Sequence, residues 1–179
     1  MLFRSRAAKA VQALFNGSSV RVYTSGDMLG VELGGALKNV IALGAGLCDG
    51  LGLGYNTKAA LLTRGIVEMA RLGVAMGAKR QTFFGLSGIG DLITTTTFPT
   101  GRNLSVGRAL GEGKTLEEIL GGMHSVAEGV WTTKAAKALA KKHRVDMPIT
   151  EELHKILYEG KAAKEAVRDL MNRDPKAEV

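Results

Sequence analysis

Cysteine, histidine and long hydrophobic runs are all scarce in this chain of 179 residues. A single cysteine, Cys48, excludes an intrachain disulfide framework and a cysteine-based zinc site, and it is compatible with a reducing cytoplasm. The three histidines do not pair at the spacing of metal ligands. No uninterrupted apolar run reaches the roughly 18 residues that a membrane span needs. We therefore expect a cytoplasmic protein without a metal site or a membrane span.

Aromatic residues are also few, at 5% of the chain, although 45% of the residues are hydrophobic. The apolar residues are mostly Ala, Leu and Val, and 24 glycines accompany them. Small side chains let helices pack closely, whereas β-sandwiches are rich in aromatic and β-branched residues. The length suffices for one domain with a substantial core. The composition therefore predicts an all-α fold.

The order of the predicted elements divides the chain into three segments. Residues 1–25 contain a helical pattern and then an alternating stretch at 19–24 that is typical of a short strand. Residues 26–172 are predicted to form helices and loops, and residues 173–179 a polar tail. A lone strand is unstable without a pairing partner. We therefore expect that the start of the chain is missing, or that this strand pairs with another molecule.

A long helix is predicted over residues 28–48, although five of these residues are glycine. Each glycine weakens an isolated helix by about 1 kcal/mol relative to alanine. Tertiary packing must offset this cost, so we expect the helix to be central and buried. Lys38 lies in its middle, and its helical neighbours supply no counter-charge. A lysine in such an apolar setting can act as a base, whereas the alternative is a side chain that snorkels to water.

Polar and small residues are concentrated at residues 85–103. Glycines precede Asp91, four threonines follow it at 94–97, and Gly101 precedes Arg102 and Asn103. Glycines let the backbone approach a ligand closely, and a carboxylate, hydroxyls and a guanidinium suit a small anionic ligand. Arg102 at the start of a helix would bind phosphate together with the helix amides. The alternative is a structural ion pair between Asp91 and Arg102.

The net charge of +7 permits a different function, a basic helical module that binds nucleic acid or a partner protein. The basic residues are spread along the chain, however, and no set of aromatic residues accompanies them for base stacking. We therefore expect a solvated basic surface and no nucleic-acid partner.

Several of these stretches closely resemble the bacterial NAD(P)-dependent glycerol-3-phosphate dehydrogenases, and the similarity extends over residues 11–171. The resemblance is carried by VELGGALKNVIALGAG (31–46), GYNTKAALLTRG (54–65), GDLITT (90–95), GRN (101–103), AEG (127–129) and MPITEE (147–152). It implies a helical substrate-binding domain like the C-terminal domain of 6-phosphogluconate dehydrogenase, preceded by the last helix and strand of a Rossmann domain. The implied reaction interconverts sn-glycerol 3-phosphate and dihydroxyacetone phosphate with NAD or NADP, and it would serve phospholipid synthesis. A homodimer is compatible with the resemblance.

The resemblance also implies roles for individual residues. Lys38 would accept the proton of the substrate's secondary hydroxyl. The substrate would be held by this lysine together with Asp91, Thr95, Gly101, Arg102 and Asn103. The cofactor would be contacted by Arg102, Val126 and Glu128, and residue chemistry alone assigns no role to Glu128.

Two features bear on how far the resemblance reaches. The family's glycine-rich dinucleotide fingerprint is absent, so we expect no turnover from this chain alone. Other two-domain hydroxyacid dehydrogenases also place a lysine on a long helix, and they are the alternative within the same fold. They usually space Lys and Asn one helical turn apart, whereas Lys38 and Asn39 are adjacent here.

Overall fold

A computed structural model describes residues 2–17, 19–123, 125–175 and 177, with side chains from residue 5 onward. The predicted polar tail therefore lies partly outside the described residues. In the described ranges the chain is helical and contains no strand. The α-helices, in chain order, are α1 (Leu2–Phe15), α2 (Met28–Gly50), α3 (Tyr55–Ala75), α4 (Arg80–Phe83), α5 (Asp91–Thr97), α6 (Arg102–Gly111), α7 (Leu116–Gly121), α8 (Glu128–His143), α9 (Pro148–Tyr158) and α10 (Ala163–Met171), and a π-helical turn (Leu86–Gly90) precedes α5.

Helix α2 is the centre of the domain, as its glycine content predicted. Every residue from 39 to 48 is buried, and α3, α5, α6, α8 and α9 pack around the helix. By length and composition alone α2 could cross a membrane, but 67% of its apolar window is buried inside the domain. The sequence of α2 is not an uninterrupted apolar run, because Lys38 lies within it. Helix α2 owes its apolar character to its place in the core.

Backbone contact between α2 and α6 explains several of the glycines. A Cβ atom on Gly46 would lie 2.1 Å from the carbonyl oxygen of Leu104 in α6. A Cβ atom on Gly107 of α6 would lie 2.0 Å from the α2 backbone, and Gly50 and Gly111 repeat the arrangement one turn further along. Glycines spaced four residues apart on both helices let the two backbones approach closely. The two helices are thus held at a separation that no other residue at these positions allows.

The segment before α2 is only partly as predicted. Helix α1 forms, but residues 19–24 make no strand ladder; the structure describes one isolated bridge, between Gly17 and Val20. The strand at residues 19–24 was expected to pair outside this chain, so it stays a prediction: no second strand among the described residues lies beside it. Asp27 caps the start of α2, since its side chain accepts a hydrogen bond from the Gly30 amide.

The buried Glu68 of α3 holds the start of α9. Its two carboxyl oxygens accept hydrogen bonds from the backbone amides of Ile149 (2.7 Å) and Thr150 (3.2 Å), which are among the unpaired amides of the first helical turn. Only 3% of Glu68 is exposed. Burial raises its pKa to about 7, and the hydrogen bonds from Ile149 and Thr150 oppose this rise.

We predict that Glu68 makes the stability of the domain fall as the pH rises from about 4.5 to about 7. In this range the folded protein keeps the proton on Glu68, whereas the unfolded chain has lost it near the ordinary value of 4.5. Across this pH range the contribution of Glu68 lowers the free energy of unfolding by roughly 3 kcal/mol, and above about pH 7 this contribution no longer changes. Urea unfolding at several pH values measures the effect, with Glu68→Gln as the variant that cannot titrate. Parallel stability curves for the two proteins would contradict the prediction.

We further predict opposite effects of alanine at two glycines of α2. Gly46→Ala places a methyl group against the backbone of α6, so the domain should lose about 1–3 kcal/mol of unfolding free energy. Gly35→Ala is the matched control because nothing lies within 4 Å of a Cβ at that position. It should be neutral or stabilise the helix by up to about 1 kcal/mol. Denaturant unfolding distinguishes the two, and equal losses would contradict the close packing.

Candidate functional site

Lys38 of α2 pairs with Asp91, the first residue of α5. Its Nζ atom donates a hydrogen bond to Oδ1 of Asp91 at 2.5 Å, and the side chains are 19% and 36% exposed. The prediction that no helical neighbour of Lys38 supplies a counter-charge was correct, but the tertiary structure supplies one, Asp91, from 53 residues away. The lysine is therefore neither isolated nor fully solvated: a carboxylate holds its amine at the surface of the core.

The π-helical turn (Leu86–Gly90) brings Asp91 to this position. A Cβ atom on Gly34, one turn before Lys38, would lie 2.4 Å from the carbonyl oxygen of Ser87. A Cβ atom on Gly88 would lie 2.0 Å from the carbonyl oxygen of Phe83. The turn therefore lies directly on the α2 backbone. A π-helical turn inside a helical segment is frequent at functional sites.

The four threonines after Asp91 lie on α5 and not in a loop. The hydroxyl of Thr95 donates a long hydrogen bond of 3.4 Å to Oδ1 of Asp91, the oxygen that also receives the lysine. The hydroxyls of Thr94, Thr96 and Thr97 instead bond to carbonyl oxygens of their own helical segment. The hydrogen bonds of these three hydroxyls are therefore internal to their own helical segment. Only Thr95 joins the Lys38–Asp91 pair.

Asn103, at the start of α6, is a buried connector between three helices. Its Nδ2 donates to Oδ1 of Asn39 in α2 at 2.9 Å, and its Oδ1 accepts from the amide of Gly129 in α8 at 2.8 Å. It is 7% exposed. Sequence reasoning gave Asn39 no place among the site residues, although its position next to Lys38 was a usable signal. Gly101 caps α6 without a side chain of its own.

Arg102, Val126 and Glu128 are brought together as predicted. The guanidinium of Arg102 donates to the carbonyl oxygen of Val126 at 3.1 Å and to the carboxylate of Glu128 at 3.4 Å. The side chains of Arg102 and Glu128 are 50% and 57% exposed. The sequence alternative of an ion pair between Asp91 and Arg102 is wrong, because each of these residues has a different partner.

The charged groups of Lys38 and Arg102 belong to one site because the residues that follow them, Asn39 and Asn103, are hydrogen-bonded to each other. Lys38 precedes Asn39 and Arg102 precedes Asn103, so the Asn39–Asn103 hydrogen bond joins the helical turns that carry both cations. Leu86 and Ile93, which flank Asp91 in sequence, and Val126, which accepts a hydrogen bond from Arg102, are each more than half exposed. An exposed apolar surface around polar groups is typical of a binding face. Within the described part of the chain, no group of three or more His, Cys, Asp or Glu residues could hold a metal ion.

Comparison with known proteins identifies this arrangement. The family model of the NAD-dependent glycerol-3-phosphate dehydrogenase C-terminus matches residues 27–168. The glycerol-3-phosphate dehydrogenase [NAD(P)+] of Geobacter metallireducens is 60% identical over 172 residues, which are 96% of this chain and 51% of the relative. The enzyme of the same name from Listeria monocytogenes is 55% identical over the same shares. The chain therefore spans about half the length of the curated relatives it matches.

Solved structures agree with the sequence relatives. The crystal structure of glycerol-3-phosphate dehydrogenase from Coxiella burnetii superposes with a TM-score of 0.89 at 43% identity, over 94% of this chain and 52% of that one. The glycerol-3-phosphate dehydrogenase of Saccharomyces cerevisiae gives a TM-score of 0.83 at 31% identity, over 92% and 48%. The chain, whose core surrounds α2 and whose surface carries the Lys38–Asp91 pair, belongs to the family of NAD-dependent glycerol-3-phosphate dehydrogenase C-terminal domains.

Proposed function

We propose that this chain provides the substrate side of an enzyme that interconverts sn-glycerol 3-phosphate and dihydroxyacetone phosphate with NAD or NADP. The 2.5 Å contact between Lys38 and Asp91 carries the proposal, because it holds an amine capable of proton transfer at a partly exposed position. Family membership supports the choice of substrate. The reaction belongs in the cytoplasm, which agrees with a single, buried and free cysteine.

Lys38 acts as the proton acceptor. Oxidation of a secondary alcohol removes the hydroxyl proton and a hydride from the same carbon, and Nζ of Lys38 takes the proton. The ammonium that results is stabilised by the carboxylate of Asp91, whose Oδ1 is also held by Thr95. In the reverse direction the ammonium returns the proton to the forming alkoxide. NAD or NADP, when bound, supplies the hydride acceptor.

Arg102 fits a phosphate at the start of α6. Its guanidinium is oriented by Val126 and Glu128 but remains half exposed, so donor groups are left for a ligand. Gly101 has no side chain with which to cap the helix, and the first amides of α6 are therefore suited to an anion. The same exposed group of Arg102, Val126 and Glu128 would contact one edge of the nucleotide. Among the described residues no strand forms.

The alternatives are not favoured. A nucleic-acid module would present unpaired cations, whereas both Lys38 and Arg102 are paired with carboxylates. Another hydroxyacid dehydrogenase would not need a phosphate-binding arginine such as Arg102 at the start of α6. The family match supports glycerol 3-phosphate as the substrate instead.

We predict that Lys38→Met removes turnover while the fold remains. The substitution keeps the length of the side chain and its apolar stem, so helicity should change little. The thermal unfolding temperature should fall only modestly, because the unpaired Asp91 is 36% exposed. Turnover should fall by roughly 10²–10⁴-fold, the usual contribution of a general base. The measurement is NADH-dependent reduction of dihydroxyacetone phosphate by a chimera that joins this chain to the part of the Geobacter metallireducens relative that it does not cover. Unfolding, or turnover within a few-fold of the parent, would exclude Lys38 as the base.

We predict that Arg102→Ala weakens binding of glycerol 3-phosphate much more than binding of glycerol. A hydrogen bond between charged groups contributes about 1.5–3 kcal/mol, so affinity for the phosphorylated ligand should fall by roughly tenfold or more. Titration of both ligands followed by NMR compares the effects. Arg168→Ala is the control, because Arg168 is an exposed arginine of α10 outside the site. Equal losses for both ligands would show that Arg102 has only a structural role.

A further inference from the structure

A groove away from the Lys38 site lies between α3, α9 and α10. We call it the α3–α10 groove, and its volume is about 240 Å³. None of the residues assigned above to substrate or cofactor lines it. Its lining is mainly apolar and includes Leu53, Ala60, Leu61, Ile149, Val167 and Leu170. This volume is below the usual range for drug-sized ligands, so the groove suits a small ligand with an apolar body.

Three arginines give the groove its charge. Arg71 and Arg173 are both held by Asp146, at 3.9 Å and 2.9 Å from its carboxylate. Arg64 is partly buried, and within the described residues it has no carboxylate partner. The one acid in the lining, Glu68, directs its oxygens to the amides of α9. The groove therefore offers one unneutralised guanidinium beside an apolar channel.

We propose that the α3–α10 groove binds a small amphipathic anion, a medium-chain carboxylate whose alkyl chain lies on the apolar lining and whose head group pairs with Arg64. Burial of the alkyl chain provides the affinity, since each methylene removed from water is favourable. The guanidinium selects a carboxylate over a neutral or cationic head group because it matches the two oxygens in a bidentate pair. The groove is separate from the Lys38 site, so this proposal does not depend on the proposed function.

Octanoate and 1-octanol test the proposal because they share a chain and differ in charge. Isothermal titration of this 179-residue chain, without substrate or nucleotide, should show saturable binding of octanoate. Arg64→Gln should reduce the affinity for octanoate by roughly tenfold or more and leave that for octanol unchanged. Arg168→Gln is the matched control on α10, outside the groove, and should leave both affinities unchanged.

A second variant tests the location by filling the groove. Ala60 is an exposed groove residue, so Ala60→Trp should abolish octanoate binding without lowering the thermal unfolding temperature. Non-saturable titration, equal octanoate affinity in Arg64→Gln, or unchanged binding in Ala60→Trp would overturn the proposal. It would also be overturned if octanoate did not bind and Ala60→Trp instead changed the sedimentation coefficient. In that case the groove would be an interface between copies of this chain.

Discussion

The close approach of the α2 and α6 backbones is the constraint on which the site depends. Gly46 and Gly107 leave no space for a Cβ atom between the helices, and this contact fixes their separation and rotation. Further along the same pair of helices, the geometry brings Asn39 to 2.9 Å from Asn103. The residues next to these two asparagines are Lys38 and Arg102. A loss of close packing would thus separate the proposed proton acceptor from the proposed phosphate-binding group.

The Lys38–Asp91 pair shows how the domain keeps a charged amine at the edge of an apolar core. Removing one partner of a partly buried pair leaves a charge without compensation, so the carboxylate and lysine stabilise each other in place. The π-helical turn makes this pairing sterically feasible, because Gly34 allows Ser87 to lie against α2. Thr95 then fixes the shared oxygen of Asp91 from the next turn of α5. The segment 86–95 therefore both positions the amine of Lys38 and provides its counter-charge.

The carboxyl group with the strongly raised pKa is not part of this site. A raised pKa in a buried acid often marks a catalytic group, and Glu68 would be a candidate by that criterion alone. Its hydrogen bonds to Ile149 and Thr150 give it a structural role instead, at the first turn of α9. The proposed base is recognised by its geometry: a partly exposed amine paired with a carboxylate.

The sequence by itself determined the all-helical class and the central position of α2, because small apolar residues favour close helix packing and a glycine-rich helix needs such packing. Through the resemblance to a known family it also assigned Arg102, Val126 and Glu128 to the cofactor, and in the structure hydrogen bonds connect these three residues. Only the tertiary structure decided that Lys38 pairs with Asp91 and that Asn39 connects to Asn103, since residues 53 and 64 positions apart meet only when helices pack. Neither the sequence nor the tertiary structure decided the strand at residues 19–24, because a strand depends on a neighbouring strand that the described residues do not contain.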